Sequence, residues 1–250
     1  MKASSFAALV IFLTIILLPA AGQAIDVPTV TLGMDKANSP EKVSTAIQLL
    51  LLLTVLTVTP SIILMTTCFT RVVIVLGFIR QALGTQNMPP TQVILGLALF
   101  LSFFIMTPTL DAIRVNALTP YMEQKIGQEE ALTRAMAPLR AFMFSQVREE
   151  ELTLMTEISG QKEPANRDGV PTSTLIPAFM LSELKRAFQM GFMIYIPFLV
   201  IDMIVASILM SMGMMMLPPV IISMPFKLLL FVLVDGWNLI VGSLIKSFSV

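Results

Sequence analysis

The sequence PAFMLSELKRAFQMGFMIYIPFLVIDMIVASILMSMGMMMLPP occupies residues 177–219, and the rest of the chain is interpreted from it. A polar turn is followed by an apolar run over residues 190–217. This run is long enough to cross a bilayer, because about 20 apolar residues in a helix cover about 30 Å of hydrocarbon. It differs from a plain anchor, since it contains Asp202, Pro197 and a dense group of methionines. The sequence therefore predicts a membrane segment with a role beyond anchoring.

The methionines at the end of this run form a candidate pore gate, which we call the methionine collar. They are Met210, Met212, Met214, Met215 and Met216. Thioether side chains are unbranched and polarizable, so a collar of them could seal a pore and still deform. The alternative is that methionine merely replaces leucine in a lipid-facing or core position.

Two blocks of the sequence resemble one known family. The run PAFMLSELKRAFQMGF, followed by IPFLVIDMIVASILMSMGMMMLPP, resembles the signature region of the FliP family of flagellar biosynthetic proteins and its counterparts in virulence type III secretion. The block CFTRVVIVLGFIRQALGTQNMPPTQVILGLALFLSFFIMTP at residues 68–108 resembles the same family. The resemblance covers most of the chain, from about residue 50 to about residue 246.

The resemblance implies a function and a set of partners. It implies a core subunit of the flagellar type III export gate, with a pore through which unfolded flagellar proteins cross the bacterial inner membrane. It also implies a ring of five such subunits with FliQ-type and FliR-type partners. The expected fold is all-α, with kinked helical hairpins that assemble into the ring. No cofactor is expected.

Residues 1–24 have the pattern of a secretory signal peptide. A lysine precedes an apolar region at residues 6–18, and small residues precede a cleavage site after Ala24. A retained first membrane helix is the alternative, although an apolar region of this length is short for a bilayer. Cleavage would leave residues 25–42 outside the cytoplasm as an exposed periplasmic arm, because this segment has no hydrophobic period.

Composition places the mature chain among polytopic membrane proteins. Mean hydropathy is +0.85, and 56% of the residues are hydrophobic while 13% are charged. The net charge is zero, which argues against nucleic acid as a partner. The chain has one cysteine and no histidine, which excludes an internal disulfide, a cysteine metal cluster and the usual Ser-His or Cys-His catalytic pairs. An enzyme is therefore not expected.

We expect two hydrophobic hairpins on either side of a periplasmic helical section. Residues 43–107 form the first hairpin, with one helix kinked at Pro60 and a second apolar segment closed by Pro108. Residues 108–187 form the periplasmic section, because this stretch lacks the excess of Lys and Arg that marks a cytoplasmic loop. Residues 188–250 form the second hairpin, which carries the methionine-rich loop.

The polar section contains one predicted amphipathic helix. Pro138 can begin this helix, and apolar residues recur at helical spacing to about residue 159. We interpret the acidic run at residues 149–151 as its solvated face. The next helix carries Glu183 one turn before Arg186, a spacing that favours an ion pair.

Ionisable residues in or beside the apolar segments are the remaining candidate sites. They are Arg71, Glu183, Asp202, Lys227 and Asp235. A charge in hydrocarbon is expensive, so each should meet another charge, a cavity or a neighbouring subunit. Arg71 has a second interpretation, snorkelling at the membrane edge together with Arg80. For the three C-terminal residues we favour compensation within a helix bundle, and a proton relay is the alternative.

Three classes of function fit parts of this pattern. A proton-coupled secondary transporter or channel subunit would explain the intramembrane acids, but residues 43–106 and 188–245 are not halves of matched hydropathy. An intramembrane enzyme would need a nucleophile and a base, and no such spacing stands out. A protein-export gate subunit explains the signal peptide, the kinked hairpins and the methionine collar together, and it is the function that the resemblance implies.

Overall fold

In the computed structural model, every regular secondary-structure element of the described residues is a helix. The structure describes residues 40–85, 88–160, 166–214 and 216–248. The predicted signal peptide, most of the predicted N-terminal arm and Met215 lie outside these residues. Within the described ranges the predicted all-α class is confirmed.

The described residues form nine α-helices, a π-helical segment and a short 3₁₀ turn. The helices are α1 (Pro40–Met65), α2 (Phe69–Ala82), α3 (Thr91–Ile113), α4 (Thr119–Met122), α5 (Gln128–Gln146), α6 (Glu149–Ile158), α7 (Thr172–Ser211), α8 (Pro219–Leu233) and α9 (Gly236–Lys246). The π-helical segment Arg114–Leu118 joins α3 to α4, so Thr91–Met122 is one helical run. The 3₁₀ turn is Arg167–Gly169.

Three helical runs are long and apolar enough to cross a membrane. They are Ile47–Met65, Thr91–Met122 and Thr172–Ser211. Helices α8 and α9 make a fourth candidate if they count as one span, since they are apolar together and meet at an angle of 64°. The described residues therefore contain three or four candidate spans.

The chain divides into two units, Met1–Leu52 and Leu53–Val250. The described part of the first unit is the beginning of α1. In the second unit α7 is the central helix, because it contacts α2, α5, α6 and α8. Helix α2 also packs on α3, and α5 packs on α3 and the π-helical segment.

The main core lies where α2 meets α3 and α7. Helix α2 buries the apolar stripe Val72, Val75, Leu76, Ile79 and Ala82. This spacing is that of a helix with one face in a core. Ala98 of α3, Ala187 of α7 and Leu244 of α9 belong to the same cluster. Gly191 allows the close approach of α2 to α7, because a Cβ atom there would lie 2.3 Å from Cδ2 of Phe78.

A second, smaller core fixes the polar section against α7. It consists of Met143, Val170, Leu175 and Phe179, with Phe142, Phe144, Val147, Leu152 and Ile176 packed against it. Arg140 of α5 closes this core, since its guanidinium donates to Oγ1 of Thr172 at 2.6 Å and to the carbonyl oxygen of Val170 at 2.7 Å. The start of α7 is thereby held on α5.

The first hairpin breaks later than predicted. Helix α1 continues through Pro60 to Met65, and a break at residues 66–68 separates it from α2, so the prediction of one helix across this region is wrong. The hydroxyl groups of Thr66 and Thr67 explain the break. They donate to carbonyl oxygens four and three residues earlier, at 3.0 Å and 3.2 Å, and so compete with the helical pattern.

Two other predicted helix boundaries are wrong. The helical run of α3 continues through Pro108, because apolar helices tolerate proline when hydroxyl groups or neighbouring helices satisfy the freed backbone groups. Pro138 lies inside α5 rather than at its start.

The predicted amphipathic helix is two helices, α5 and α6, because the backbone of Val147 and Arg148 between them is extended. The N–H group of Arg148 donates to Oγ of Ser182 on α7, at 3.0 Å, instead of continuing a helix.

Candidate functional site

Arg71 lies at the centre of a buried polar cluster. Its side chain is 0% exposed, and so is that of Glu183 on α7. Nε of Arg71 donates to Oε2 of Glu183 at 2.9 Å, and Nη2 of Arg71 also donates to Oε1 of Glu183. This two-point geometry is the strong form of an arginine–carboxylate pair. Arg71 therefore does not snorkel at a membrane edge in this structure.

Three further groups surround the Arg71 guanidinium. Nη1 donates to the carbonyl oxygen and to Oγ of Ser247, each at 3.0 Å, and Nη2 donates to Oε1 of Gln146 at 3.0 Å. The ring of Phe248 lies 3.7 Å from Cζ of Arg71. We call Arg71, Glu183, Gln146 and Ser247 the arginine cluster. It ties α2, α5, α7 and the residues after α9 to one side chain.

Arg186 borders the arginine cluster without pairing with Glu183. Its Nη1 donates to Oε1 of Gln146 at 3.0 Å, so one amide oxygen accepts from two guanidinium groups. The ion pair expected between Glu183 and Arg186 is absent from the described residues. Glu183 points instead toward α2, where both of its oxygens accept from Arg71.

A second charged pair joins α7 to α8. Nζ of Lys227 lies 2.6 Å from Oδ2 of Asp202, and Oγ of Ser223 donates to Oδ1 of the same carboxylate. Lys227 is almost fully buried. Gly84, which has a φ of +71° in the turn after α2, lies beside the pair, because a Cβ atom there would be 3.7 Å from Nζ of Lys227. The pair therefore lies where α7, α8 and this turn meet.

Asp235 lies apart from the Asp202–Lys227 pair. It occupies the bend between α8 and α9, has a φ of +50° and is exposed. Its carboxylate accepts a hydrogen bond from Nδ2 of Asn238 at 3.2 Å. The structure thus brings together two of the three C-terminal ionisable residues that the sequence singles out, and it leaves the third at a separate surface.

The methionine collar begins in the last turn of α7. Gly213 has a φ of +75°, a conformation that glycine adopts without steric cost. The N–H group of Gly213 donates to the carbonyl oxygen of Met210 at 3.1 Å, and the N–H group of Met214 donates to that of Leu209 at 3.0 Å. These two bonds are the glycine-dependent ending of an α-helix. The chain therefore leaves the helix within the collar.

The described methionines of the collar are exposed. The exposed fractions of their side chains are 60% for Met210, 64% for Met212, 37% for Met214 and 98% for Met216. Met215 lies outside the described residues. Within the described chain these four side chains are not part of a core, so they are available to lipid, to other subunits or to a pore.

Comparison with known proteins places this arrangement in a family. The profile of the FliP family matches residues 52–244, more than half of the chain. The flagellar biosynthetic protein FliP of Bacillus subtilis is 58% identical over 212 residues, which cover 85% of this chain and 96% of the relative. The chain belongs to the FliP family. The resemblance seen in the sequence is confirmed.

Other FliP relatives cover comparable shares of the chain. The flagellar biosynthetic protein FliP of Pectobacterium carotovorum is 51% identical over 211 residues, covering 84% of this chain and 82% of the relative. That of Aquifex aeolicus is 46% identical over 242 residues, covering 95% of this chain and 98% of the relative. Together with the candidate spans, this makes the chain a membrane protein and a component of flagellar protein export.

Sequence reasoning missed the neutral members of both clusters in this FliP-family chain. Ser223 carried a signal, because it lies four residues before Lys227 and therefore on the same face of a helix. Gln146 and Ser247 carried none. They lie 75 and 176 residues from Arg71, and only the fold brings them to it.

Proposed function

We propose that this chain is a core subunit of the flagellar type III export gate. In this proposal five copies form a ring in the bacterial inner membrane with FliQ-type and FliR-type subunits. Unfolded flagellar proteins pass through the pore of the assembly. The proposal assigns no catalytic role to the chain.

The observation that carries the proposal is the apolar surface that the chain leaves uncovered. In the candidate span Ile47–Met65 none of the most apolar window is buried, and in Thr172–Ser211 only 17% of it is. By contrast, Arg71 and Lys227 have partners inside the chain. The candidate spans thus leave apolar side chains uncovered while Arg71 and Lys227 are buried, which is the reverse of a soluble domain. Such a surface needs lipid or neighbouring subunits to cover it.

The methionine collar supports the gate role. An export gate must pass chains of any sequence and still hold back ions when idle, so its narrowest layer should be apolar, deformable and free of fixed charge. Met210, Met212, Met214 and Met216 are exposed at a helix end where the backbone turns at Gly213. Repeated around a ring, together with Met215, they would form a plug that a passing chain can push aside.

The topology is part of the same proposal. Residues 1–24 are a signal peptide cleaved after Ala24, and residues 25–42 and 108–187 lie on the periplasmic side. The helical run Thr91–Met122 leads from the first hairpin into the periplasmic section. The second hairpin, residues 188–250, carries the collar.

A transporter or channel with a proton relay is the competing function. The pair of Asp202 and Lys227 favours it, since an intramembrane acid and base in contact can exchange a proton. A relay needs further titratable groups in sequence, and Asp235 lies at a separate bend. The export gate therefore accounts for more of the structure.

The native mass of the purified complex tests the proposed function. The chain is expressed with and without FliQ-type and FliR-type subunits, extracted in a neutral detergent and weighed by native mass spectrometry. We expect five copies of the chain in the largest species. A chain that stays monomeric with its partners present, at every concentration, would rule the ring out.

A further inference from the structure

A groove lies beside the arginine cluster, at the place in α7 where the polar turn gives way to the apolar run. Its volume is about 620 Å³. The polar lining includes Arg71, Arg186, Gln189 and Ser247, and the apolar lining includes Phe192 and Met193. A cationic and an apolar lining therefore meet in one groove on a candidate membrane span.

The groove carries an excess of positive charge. Two arginines line it, Arg186, which is half-buried, and Arg71, whose side chain lies fully buried behind the groove. The carboxylate of Glu183 is engaged by Arg71 through both of its oxygens. Gln146, which accepts from both arginines, is neutral. One carboxylate thus faces two guanidinium groups.

The next carboxylate does not correct this excess. Glu151 acts on Arg186 only through space, and it is held elsewhere by Nζ of Lys185 at 3.1 Å and by Nε of Arg148 at 3.4 Å. In the described part of the chain Arg186 makes one hydrogen bond, to Gln146, and no ion pair. A guanidinium has five N–H donors, so Arg186 keeps donors for a ligand in the groove.

The apolar lining is open to the surroundings of the helix. Phe192 is 62% exposed and Met193 is 75% exposed, and both lie within two turns of Arg186 on the C-terminal side. Large exposed apolar side chains next to a half-buried arginine match a molecule with an anionic head and hydrocarbon chains. A guanidinium also matches the geometry of a phosphate group, because it can donate two parallel hydrogen bonds.

We propose that this groove binds an anionic phospholipid, with Arg186 on the phosphate, Gln189 beside the headgroup, and Phe192 and Met193 against the acyl chains. The proposal requires that the chain lies in a membrane and is independent of the pore. The competing occupant is a carboxylate of a neighbouring subunit, which would pair with Arg186 but would not need the exposed apolar lining.

Native mass spectrometry with titrated lipid tests the site. The protein, in its complex and in a neutral detergent, is mixed with phosphatidylglycerol or with phosphatidylcholine. We expect tighter retention of phosphatidylglycerol, and we expect Arg186→Gln to weaken it about tenfold, since a hydrogen bond to a charged group is lost. The matched control is Arg134→Gln, which removes an exposed arginine that already pairs with Glu130 at 2.6 Å and should leave lipid retention unchanged.

A second variant keeps the test decisive if Arg186→Gln fails to fold. Gln189 is exposed, so Gln189→Glu should fold normally and should weaken phosphatidylglycerol retention by repelling the phosphate. Unchanged retention in Gln189→Glu, or in folded Arg186→Gln, would overturn the proposal. Inorganic phosphate as the competitor separates a lipid site from a free-anion site, and displacement of the lipid at a phosphate concentration equal to that of the lipid would also overturn it. A complex that loses subunits in Arg186→Gln but retains lipid normally would identify the groove as a subunit contact instead.

Discussion

The pair of Arg71 and Glu183 shows how this chain stabilises buried charges inside an apolar helix bundle. Moving a guanidinium and a carboxylate out of water costs several kcal/mol for each ion. The structure offsets that cost, because the carboxylate accepts on both oxygens and the guanidinium has further acceptors in Gln146 and Ser247. The arrangement is complete only when α2, α5 and α7 are in register. The pair therefore specifies how these helices fit together.

Removing one member of the pair should be more harmful than removing both. Glu183→Gln leaves the buried Arg71 without its carboxylate, and we expect the free energy of unfolding to fall by about 3–5 kcal/mol. The double variant Arg71→Met with Glu183→Leu should be more stable than Glu183→Gln, since it leaves no uncompensated charge. Thermal unfolding in detergent, followed by circular dichroism, measures both changes.

The control for this prediction is an exposed ion pair. Arg134→Met breaks the pair with Glu130 one helical turn away, and both side chains are about half exposed. Such a pair contributes about 0.3–0.5 kcal/mol, so the control should unfold near the wild-type temperature. A Glu183→Gln variant as stable as Arg134→Met would contradict the role given to the buried pair.

The surface charges on α6 should make stability depend on pH at the acidic end. The hydrogen bond from Lys185 and the charge of Arg148 hold the pKa of Glu150 below its ordinary value of 4.5. A group whose pKa is lower in the folded state stabilises the fold above its unfolded pKa, and this contribution is lost as the pH falls through the folded pKa. Glu150→Gln should therefore unfold at a lower temperature than the wild type at pH 7, and the difference should shrink as the pH falls below 4.5 and disappear below the folded pKa of Glu150.

A second glutamate on the same helix provides the control for the pH prediction. Glu157 is exposed on α6, and no ion pair forms with it in the described residues. Glu157→Gln should unfold at the wild-type temperature across the same pH range. A gap between Glu150→Gln and the wild type that stays constant down to pH 3 would show that the effect is not the titration of Glu150.

Hydropathy predicts the apolar elements of this chain but not where they break. Long apolar runs are visible in the sequence because each must be covered by lipid or protein. The break after α1 depends on the hydroxyl groups of Thr66 and Thr67. Proline is a poor predictor of helix ends in this chain, because α1 and α3 continue through Pro60 and Pro108. The break between α5 and α6 depends on Ser182, a partner that lies 34 residues away from Arg148. The threonine hydroxyl groups are a weak local signal for the first break, and the sequence around residues 147–148 contains no local signal for the second.

The sequence identifies the candidate charged residues, but it does not identify the groups with which they pair. Arg71 and Lys227 stand out because a charge in an apolar segment is expensive. The partner of Arg71 lies 112 residues away, and helical spacing pointed to a different partner for Glu183. Likewise, the sequence predicts a solvated face for the acidic run at residues 149–151, yet the side chain of Glu151 is only 10% exposed because Lys185 and Arg148 enclose it.

The methionine collar makes a prediction at the scale of the loop between α7 and α8. Replacing Met214, Met215 and Met216 together by alanine removes several methylene-sized volumes per subunit, which should open a gap that water can enter. We expect the complex to assemble and the idle gate to leak. Membrane conductance, or uptake of a small solute by cells carrying the variant, measures the leak.

Leucine replacements are the matched control for the collar. The same three positions changed to leucine keep the apolar volume, so the seal should hold. Met203→Ala adds a second control, because Met203 is exposed on α7 but lies two turns before the collar. A correctly assembled alanine variant with wild-type conductance would show that these methionines are ordinary packing.

At the scale of the whole molecule, the candidate spans leave large apolar side chains exposed, whereas Arg71 and Lys227 are buried. Helix α1 is the extreme case, since its large side chains are exposed on every side over the span Ile47–Met65. A strongly amphipathic helix would show which face is covered, but α1 has no charged side chain in this span.

Three neighbouring leucines on α1 can distinguish lipid from a neighbouring subunit. Leu51, Leu52 and Leu53 are 56%, 61% and 60% exposed, and successive residues of a helix point about 100° apart, so together they sample the circumference at one depth. Tryptophan at each position adds apolar volume, which fluid lipid accommodates and a packed protein interface does not.

If the chain forms a ring, one side of α1 should face the next subunit. We therefore expect one of the three variants, Leu51→Trp, Leu52→Trp or Leu53→Trp, to lose the five-copy species in native mass spectrometry while the other two keep it. The three variants control for one another, because they share the same substitution, helix and depth. Retention of the five-copy species by all three variants would show that lipid surrounds α1 at this depth and that other helices hold the ring.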